Sequence, residues 1–248
     1  MMKRILLIAI AGLCSIALNA LPDLRFEAET GIAIPGYNDV RIPNNDANTK
    51  FSLVDDLALD ATLQKRVSIH WRISPRHQMS LMATPLTLKG EDKLSKNVVY
   101  QNRHFWQNDL VKTEYRFDSY RLQYRYLLPK EFYGIRAVGA SLKLRDAEIS
   151  LKSSSNYATK KNTGFVPLLS LNAGHRLTDK LDLSLEAEGL ASPYGRAEDV
   201  FVGAYYDLHN LLRLKAGYRF LEGGSDIDEV YTFAAVHYAV IGFQAKLH

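Results

Sequence analysis

The sequence predicts an all-β protein: an up-and-down antiparallel transmembrane β-barrel of about ten strands, with eight or twelve as alternatives. Segments in which apolar and polar residues alternate recur along the chain. The connections between them are alternately tight turns and longer polar loops. Strands of roughly 9–11 residues, with short turns on one side and long loops on the other, are typical of barrels that cross a membrane. Lipid offers no partner for free backbone groups, so only a closed sheet is stable there.

The first twenty residues have the features of a secretory signal peptide. Lys3 and Arg4 give a positive start, an apolar run follows, and Ala20 is a small residue before the expected cleavage site. We therefore divide the chain into a signal peptide, residues 1–20, and one barrel domain, residues 21–248. Cys14 is the only cysteine and lies in the leader, so the exported chain has no thiol for disulfides or cysteine catalysis.

The composition of the exported chain fits a barrel with a lipid-facing surface and a wet interior. It carries 29 basic and 27 acidic residues, and this near balance argues against nucleic acid as a partner. Tyrosine is abundant at 14 residues, with 10 phenylalanines, yet 23% of the residues of the full chain are charged. Apart from the leader, no apolar run approaches the length of a membrane-spanning helix.

Period-two alternation predicts each strand in turn, because helical spacing would scatter the same residues around an axis. The clearest segment has Leu181, Leu183 and Leu185 on one face, with Asp182 and Glu186 on the other. In chain order, the ten alternating segments are 24–34, 67–73, 79–88, 120–128, 138–144, 165–173, 181–191, 200–208, 212–220 and 238–247.

The connections are expected to differ on the two sides of the membrane. Tight turns near 74–77, 129–131, 177–180 and 207–210 form the periplasmic side. Outer loops are expected near 36–60, 90–112, 153–164, 192–199 and 222–230, of which the last two are alternatively tight hairpins. The alternation changes phase near 117–120 and 146–149, which predicts β-bulges at both places.

Alternation alone does not say which face points inward. A soluble, lipocalin-like periplasmic barrel is the alternative, because it would hide its apolar faces inside. Three features favour the membrane. Aromatic residues stand near the ends of the apolar faces, as in interfacial belts. The polar faces mix Gly and Ser with charged residues, and alternation continues to the C-terminus, as in a barrel-closing strand.

On these features, residues 21–248 resemble the small outer-membrane β-barrel proteins of Gram-negative bacteria. The resemblance rests on the leader, the alternating strands, the aromatic belts and the terminal segment 238–248, which departs from the usual pattern because His248 stands where an aromatic residue is common. It implies residence in the outer membrane. The implied partners are outer-membrane lipid, lipopolysaccharide and, during insertion, the barrel-assembly machinery. It implies no activity, and the oligomeric state stays open.

The polar faces of the strands are expected to line the lumen. In a narrow barrel, charges of both signs pair across the interior, since an unpaired charge there loses hydration. The alternative is a minor pore, a narrow solute path whose net basic wall would favour small anions. The expected lumen residues are Arg25, Glu27, Glu29, Arg66, Arg72, Arg121, Arg125, Lys143, Arg145, Asp182, Glu186, Glu188, Arg213, Lys215 and Arg219.

A second charged set is expected at the outer mouth of the barrel. Carboxylates clustered on loops can bind Ca²⁺ through their oxygens, but these lack the spacing of a dedicated calcium loop. Solvated outer loops are therefore the favoured interpretation. The expected mouth residues are Asp146, Glu148, Arg196, Glu198, Asp199, Glu222, Asp226 and Asp228.

We expect a structural, surface-interaction or minor-pore role, with no enzymatic activity, cofactor or metal. An outer-membrane hydrolase acting at the barrel mouth is the alternative. An omptin-like protease needs an acidic pair and a His–Asp pair, and Asp55, Asp56 and His104 supply those residue types in a generic arrangement. A lipid-A-modifying hydrolase needs His, Ser and a carboxylate near the lipid, and no His-x-Ser motif stands in the outer loops.

The second outer loop contains an aromatic patch. Tyr100, Phe105 and Trp106 lie close to Arg103 and His104 in the sequence. Such a patch can contact lipopolysaccharide sugars or a host surface, or it can fold over the barrel mouth. Folding over the mouth is the interpretation that we favour.

Overall fold

The fold is described from a computed structural model, which covers residues 23–247. The predicted signal peptide and His248 lie outside the described residues, so its cleavage stays a prediction. Within residues 23–247, no helix is long and apolar enough to cross a membrane.

The described chain consists of β-strands joined by turns and loops. In order they are β1 (Leu24–Arg41), β2 (Phe51–Ser52), β3 (Thr62–Ser74), β4 (His77–Thr84), β5 (Thr87–Lys93), β6 (Val98–Tyr100), β7 (Arg103–Phe105), β8 (Leu110–Phe132), β9 (Ile135–Lys152), β10 (Tyr157–Arg176), β11 (Leu181–Ser192), β12 (Gly195–His209), β13 (Leu212–Ile227) and β14 (Val230–Lys246).

Ten antiparallel barrel strands close on themselves, which confirms the predicted fold class and strand number. Neighbours in sequence are neighbours in the sheet, and β14 pairs with β1 from Arg25↔Lys246 to Arg41↔Tyr231. Strands β4 and β5 both pair with β8 and together make one barrel strand, interrupted after Thr84. The interruption falls at Pro85, which has no N–H to donate to a neighbouring strand.

Several strands are much longer than a bilayer requires. Strand β8 has 23 residues and β10 has 20, against the roughly 9–11 needed to span. The expected long loop at 153–164 is therefore wrong, because β9 continues to Lys152 and β10 begins at Tyr157. The last two outer connections are tight hairpins, at 193–194 and 228–229. The long outer connections are the two at 42–61 and 94–109.

The outer wall of the barrel is apolar through its middle. A soluble barrel would hide these side chains, so the lipocalin-like alternative is wrong. The exposed apolar side chains include Ile32, Leu63, Val67, Leu81, Leu142, Leu169, Val202 and Ile241. Aromatic side chains flank this band. On the periplasmic side the ring of His77 lies 5.9 Å from that of Tyr124, and on the outer side Tyr218 hydrogen-bonds His237 at 2.6 Å.

The apolar band has a sharp outer limit on β8, β9 and β10. Its last row is Tyr120, Leu144 and Phe165, which pair side by side. The next outward-facing row contains Asp118, Asp146 and Thr163, which occupy opposite positions on neighbouring strands. Beyond this row, the outward face of the wall carries charge. These strands therefore continue past the hydrocarbon region.

This limit explains why the bulges expected at 117–120 and 146–149 are wrong. The β8–β9 ladder is unbroken there, from Phe117↔Ala147 to Tyr120↔Leu144. The sequence changes phase because the outward face turns from apolar to polar, while the backbone keeps its register. Register shifts occur elsewhere, for example between Pro35 and Tyr37 of β1.

The hydrophobic core lies at the outer end of the barrel. The outer connections 42–61 and 94–109, which we call the cap, bury Leu53, Leu57 and Phe105 completely. The cap packs on the inner faces of the tall strands β5, β8 and β9. Its Tyr100 hydroxyl donates a hydrogen bond of 3.0 Å to the Ile149 carbonyl, and burial raises the pKa of this hydroxyl. The cap is therefore a folded lid with its own core.

Candidate functional site in the lumen

Charged side chains fill the middle of the lumen. All the expected lumen residues share the inward-facing parity of their strands, which follows from the period of two. Their central part, which we call the lumen network, joins side chains from six of the barrel strands. Its members are Glu27, Glu29, Arg66, Arg121, Glu186, Glu188, Asp199, Lys215 and Arg219.

Asp199 is the hub of this network. Its carboxylate accepts Arg66 at 2.8 Å, Arg121 at 2.6 Å and Arg219 at 2.8 Å, and its side chain is 2% exposed. The three arginines come from β3, β8 and β13, so these ion pairs cross the lumen. Asp199 was expected at the outer mouth, and the structure corrects that placement. Alternation puts its neighbour Glu198 on the outer wall and Asp199 inside.

A second part of the network surrounds Lys215. Its ammonium lies 2.7 Å from Glu27, 3.1 Å from Glu29 and 3.7 Å from Glu186, and the side chain is fully buried. The same ammonium sits 4.2 Å from the centre of the Phe201 ring, a favourable cation–π contact. Acidic side chains of β1 and β11 are thereby tied to β13.

The network closes on the remaining side of the barrel through Glu188. Arg121 of β8 pairs with Glu188 of β11, and the Gln123 amide donates to the same carboxylate at 2.5 Å. Buried charges held by several hydrogen bonds are costly to separate, because each partner left alone would be uncompensated. The arrangement therefore makes a rigid layer across the lumen.

Two cavities lie on opposite sides of this layer. The inner cavity, of about 250 Å³, faces the periplasmic end and is lined by Arg25, Arg72, Arg125, Asp182 and Arg213, among others. The outer cavity, of about 380 Å³, lies between the network and the cap. Its lining combines aromatic and aliphatic side chains of the inner wall with Lys143, Arg145 and Lys160.

Several expected lumen residues belong to the inner cavity and pair locally. Asp182 accepts Arg136 at 2.7 Å and Arg213 at 3.0 Å. Arg25 and Arg72 both lie near Asp23, at 3.1 and 3.6 Å. Sequence reasoning missed Arg136, because it stands before the first clearly alternating residue of β9.

Lys143 and Arg145 differ from the rest of the expected lumen set. Lys143 is 2% exposed, and its ammonium lies 4.8 Å from the centre of the Phe117 ring. Arg145 hydrogen-bonds the side-chain amide of Asn162. Neither cation has a carboxylate within ion-pair distance among residues 23–247. Both point into the outer cavity.

The expected mouth cluster is divided into separate groups. Asp146 and Glu148 face outward above the apolar band and surround Arg116, at 2.8 and 3.1 Å. On another part of the wall, Arg196 pairs with Glu222 at 2.9 Å. The other members are Glu198 on the outward face of β12 and Asp226 and Asp228 at the β13–β14 turn. No group of metal-binding side chains occurs in the described part of the chain.

The residues considered for hydrolysis make contacts of other kinds. Asp56 accepts the Ser52 backbone N–H at 2.9 Å and pairs with Lys96 at 3.2 Å. The His104 ring stacks on Trp106, with 5.5 Å between ring centres. These contacts place Asp56 in the structure of the cap and His104 on its surface.

Comparisons with known proteins bear on the fold. No family model and no curated protein matches the chain. Among solved structures, the outer membrane protease OmpT from Escherichia coli matches with a TM-score of 0.57 and 9% identity, covering 94% of this chain and 99% of that one. Neisserial surface protein A matches at a TM-score of 0.37 and 14% identity, covering 89% of this chain and 96% of that one. The OmpT likeness shows that this chain has an outer-membrane β-barrel fold, and it shows the fold alone.

Proposed function

We propose that this protein is a closed barrel of the Gram-negative outer membrane, exported by a cleaved signal peptide, with a structural or surface-interaction role. The observation that carries the proposal is the set of ion pairs crossing the lumen at Asp199. An open pore would need these paired, buried groups to separate. Their separation is unfavourable, because a single charge left in the interior is uncompensated.

The cap supports the surface-interaction part of this role. It forms a folded outer lid, on which Trp106 is 54% exposed and stacks on His104. Arg103 is exposed beside them. An exposed aromatic pair next to a cation is typical of contact sites, since aromatic and arginine side chains dominate binding interfaces. This outer face is the part of the molecule that we expect to meet lipopolysaccharide or another surface molecule.

Planar-bilayer recording tests the closed state. We expect no steady conductance from the parent barrel, because the lumen network fills its narrow interior. A combined variant, Arg121→Ser with Asp199→Ser, removes two members that cross the lumen and is expected to conduct. The matched control is Arg196→Ser with Glu198→Ser, which removes the same charges from the outer wall of β12 and should stay silent. A stable, well-resolved channel in the parent would support a minor pore and contradict the proposal.

A further inference from the structure

The outer cavity opens sideways through the barrel wall. The β10–β11 ladder ends at Leu169↔Gly189, whereas β10 continues to pair with β9 up to Tyr157↔Lys152. Residues 157–168 of β10 therefore have a strand on one side only. We call the gap between residues 163–168 of β10 and residues 190–195 of the β11–β12 hairpin the window.

Local sequence explains why the ladder ends here. Pro167 lies just beyond the last pair, and proline within a sheet is confined to edges and bulges because it has no N–H to donate. The β11–β12 hairpin turns at 193–194, much closer to the periplasmic side than the β9–β10 hairpin does. The Tyr194 carbonyl of this hairpin accepts a hydrogen bond of 2.8 Å from the Ser225 hydroxyl of β13. The hairpin is thereby attached to β13 and leaves β10 free.

The window reaches into the lipid-facing band. Phe165 forms the last apolar row of the outer wall and is 69% exposed, and Leu169, at the lower edge, is 65% exposed. Irregular backbone and open sheet edges are tolerated at membrane depth only where they line a cavity or are buried in protein. Leu190 belongs to the inward-facing side of β11 yet is 39% exposed, as expected for a side chain at an opening.

The cavity behind the window combines apolar walls with a surplus of cations. Phe117, Val166 and Leu190 contribute apolar surface, whereas Lys143 and Arg145 lack carboxylate partners among the described residues. The carboxylates at the edge of the cavity are already engaged. Glu148 pairs with Arg116 and Lys161, and Glu222 with Arg196.

We propose that the outer cavity binds an anionic amphiphile that enters from the outer leaflet through the window. Its head group lies against Lys143 and Arg145, which supply the charge-assisted hydrogen bonds that carboxylate and phosphate oxygens accept. Its hydrocarbon chain lies along Val166 and Leu190 and leaves between β10 and the β11–β12 hairpin. A cavity of about 380 Å³ is within the usual range for small-molecule sites.

Two sources supply this chemistry, a free fatty acid and a phosphorylated lipid. Isothermal titration of the purified barrel in a neutral maltoside detergent with dodecanoate, dodecyl phosphate and dodecanol distinguishes them. If the natural ligand is a fatty acid, we expect dodecanoate to bind most tightly; if it is a phosphorylated lipid, we expect dodecyl phosphate to do so. The preferred anion should bind at least about tenfold more tightly than dodecanol, since one charged hydrogen bond contributes this much. Equal binding of all three compounds, or no binding of either anion, would overturn the proposal.

Variants locate the head group. Lys143→Met and Arg145→Gln keep much of each side chain's bulk but remove its charge, and each should weaken anion binding about tenfold while leaving dodecanol unaffected. The matched control is Lys180→Met, at the periplasmic β10–β11 turn, which should bind as the parent does. If both cavity variants keep the parent's affinity for the anions, the head-group site is wrong.

The window has a separate test that does not require altered charges. A hexadecanoate carrying a photoreactive diazirine in the middle of its chain is added to the parent in phosphatidylcholine nanodiscs and illuminated. We expect labelled peptides from residues 163–168 and 190–195, and competition by unlabelled hexadecanoate. Labelling spread evenly around the barrel would overturn lateral entry. Neither the titration nor the photolabelling depends on conductance, so failure of this proposal is distinguishable from failure of the closed-barrel role.

Discussion

At the scale of single residues, two adjacent carboxylates on β12 have opposite environments. Glu198 is exposed on the outer wall, whereas Asp199 is buried among three arginines. Period-two alternation in the sequence distinguishes their faces. It does not identify the arginines that Asp199 meets, because those come from β3, β8 and β13 and their height depends on the shear of the closed barrel.

This contrast gives a matched pair of substitutions. Asp199→Asn leaves Arg66, Arg121 and Arg219 without their shared counter-charge, and we expect the free energy of unfolding to fall by about 3–5 kcal/mol. Glu198→Gln changes the same chemistry on the exposed face and should alter it little. Urea unfolding followed by tryptophan fluorescence measures both. Equal effects of the two changes would contradict the central position of Asp199.

At the scale of the elements, alternation identified the barrel strands but not their outer ends. The segment from Leu181 to Ala191 alternates clearly because one face of the strand meets lipid and the other meets the lumen, which require opposite polarity. Beyond the apolar row at Phe165, both faces of the wall are polar or packed against the cap, so the period of two weakens. For the same reason the sequence predicted a loop at 153–164, although β9 continues to Lys152 and β10 begins at Tyr157.

The lipid-facing side of β11 offers a test at this scale. Leu185 shares the outward parity of Leu183, which is 41% exposed. Leu185→Arg should destabilise the barrel by roughly 2–4 kcal/mol if the side chain faces the middle of the bilayer. Leu177→Arg, at the exposed periplasmic turn, is the control and should be nearly neutral. Unfolding in phospholipid vesicles measures both, and a neutral Leu185→Arg would mean that the faces are reversed.

At the scale of the whole molecule, closure between β1 and β14 makes the sheet a barrel. The sequence predicted this closure because lipid offers no partner for free backbone groups and because alternation continues to the C-terminus, but it did not show how closely the two strands approach. At Gly31, an added Cβ would come within 2.0 Å of the Ala239 carbonyl oxygen. The seam therefore has no room for any side chain at this position.

Closure can be tested at this glycine. Gly31→Ala should force the seam apart and lower the free energy of unfolding by about 1–3 kcal/mol, as overpacking does. We expect the fast-migrating folded band on unheated gels to disappear at a lower temperature than in the parent. Gly164→Ala is the control, because the nearest atom to its added Cβ, on Arg145, is 3.8 Å away. If the folded band of both variants disappears at the same temperature as that of the parent, the seam is not as tight as described.

The lumen network also joins residues that are synthesised at very different times. Glu27 and Glu29 lie on the first strand, and their cations, Lys215 and Arg219, lie on the next to last. During synthesis and export the carboxylates precede their counter-ions by nearly the whole chain. In a fragment lacking β13, Glu27 would lose Lys215 and Glu29 would keep only Arg66, 3.8 Å away, so these buried acids would be poorly compensated. We therefore expect the ion pairs that fill the lumen to favour insertion of complete chains over truncated ones.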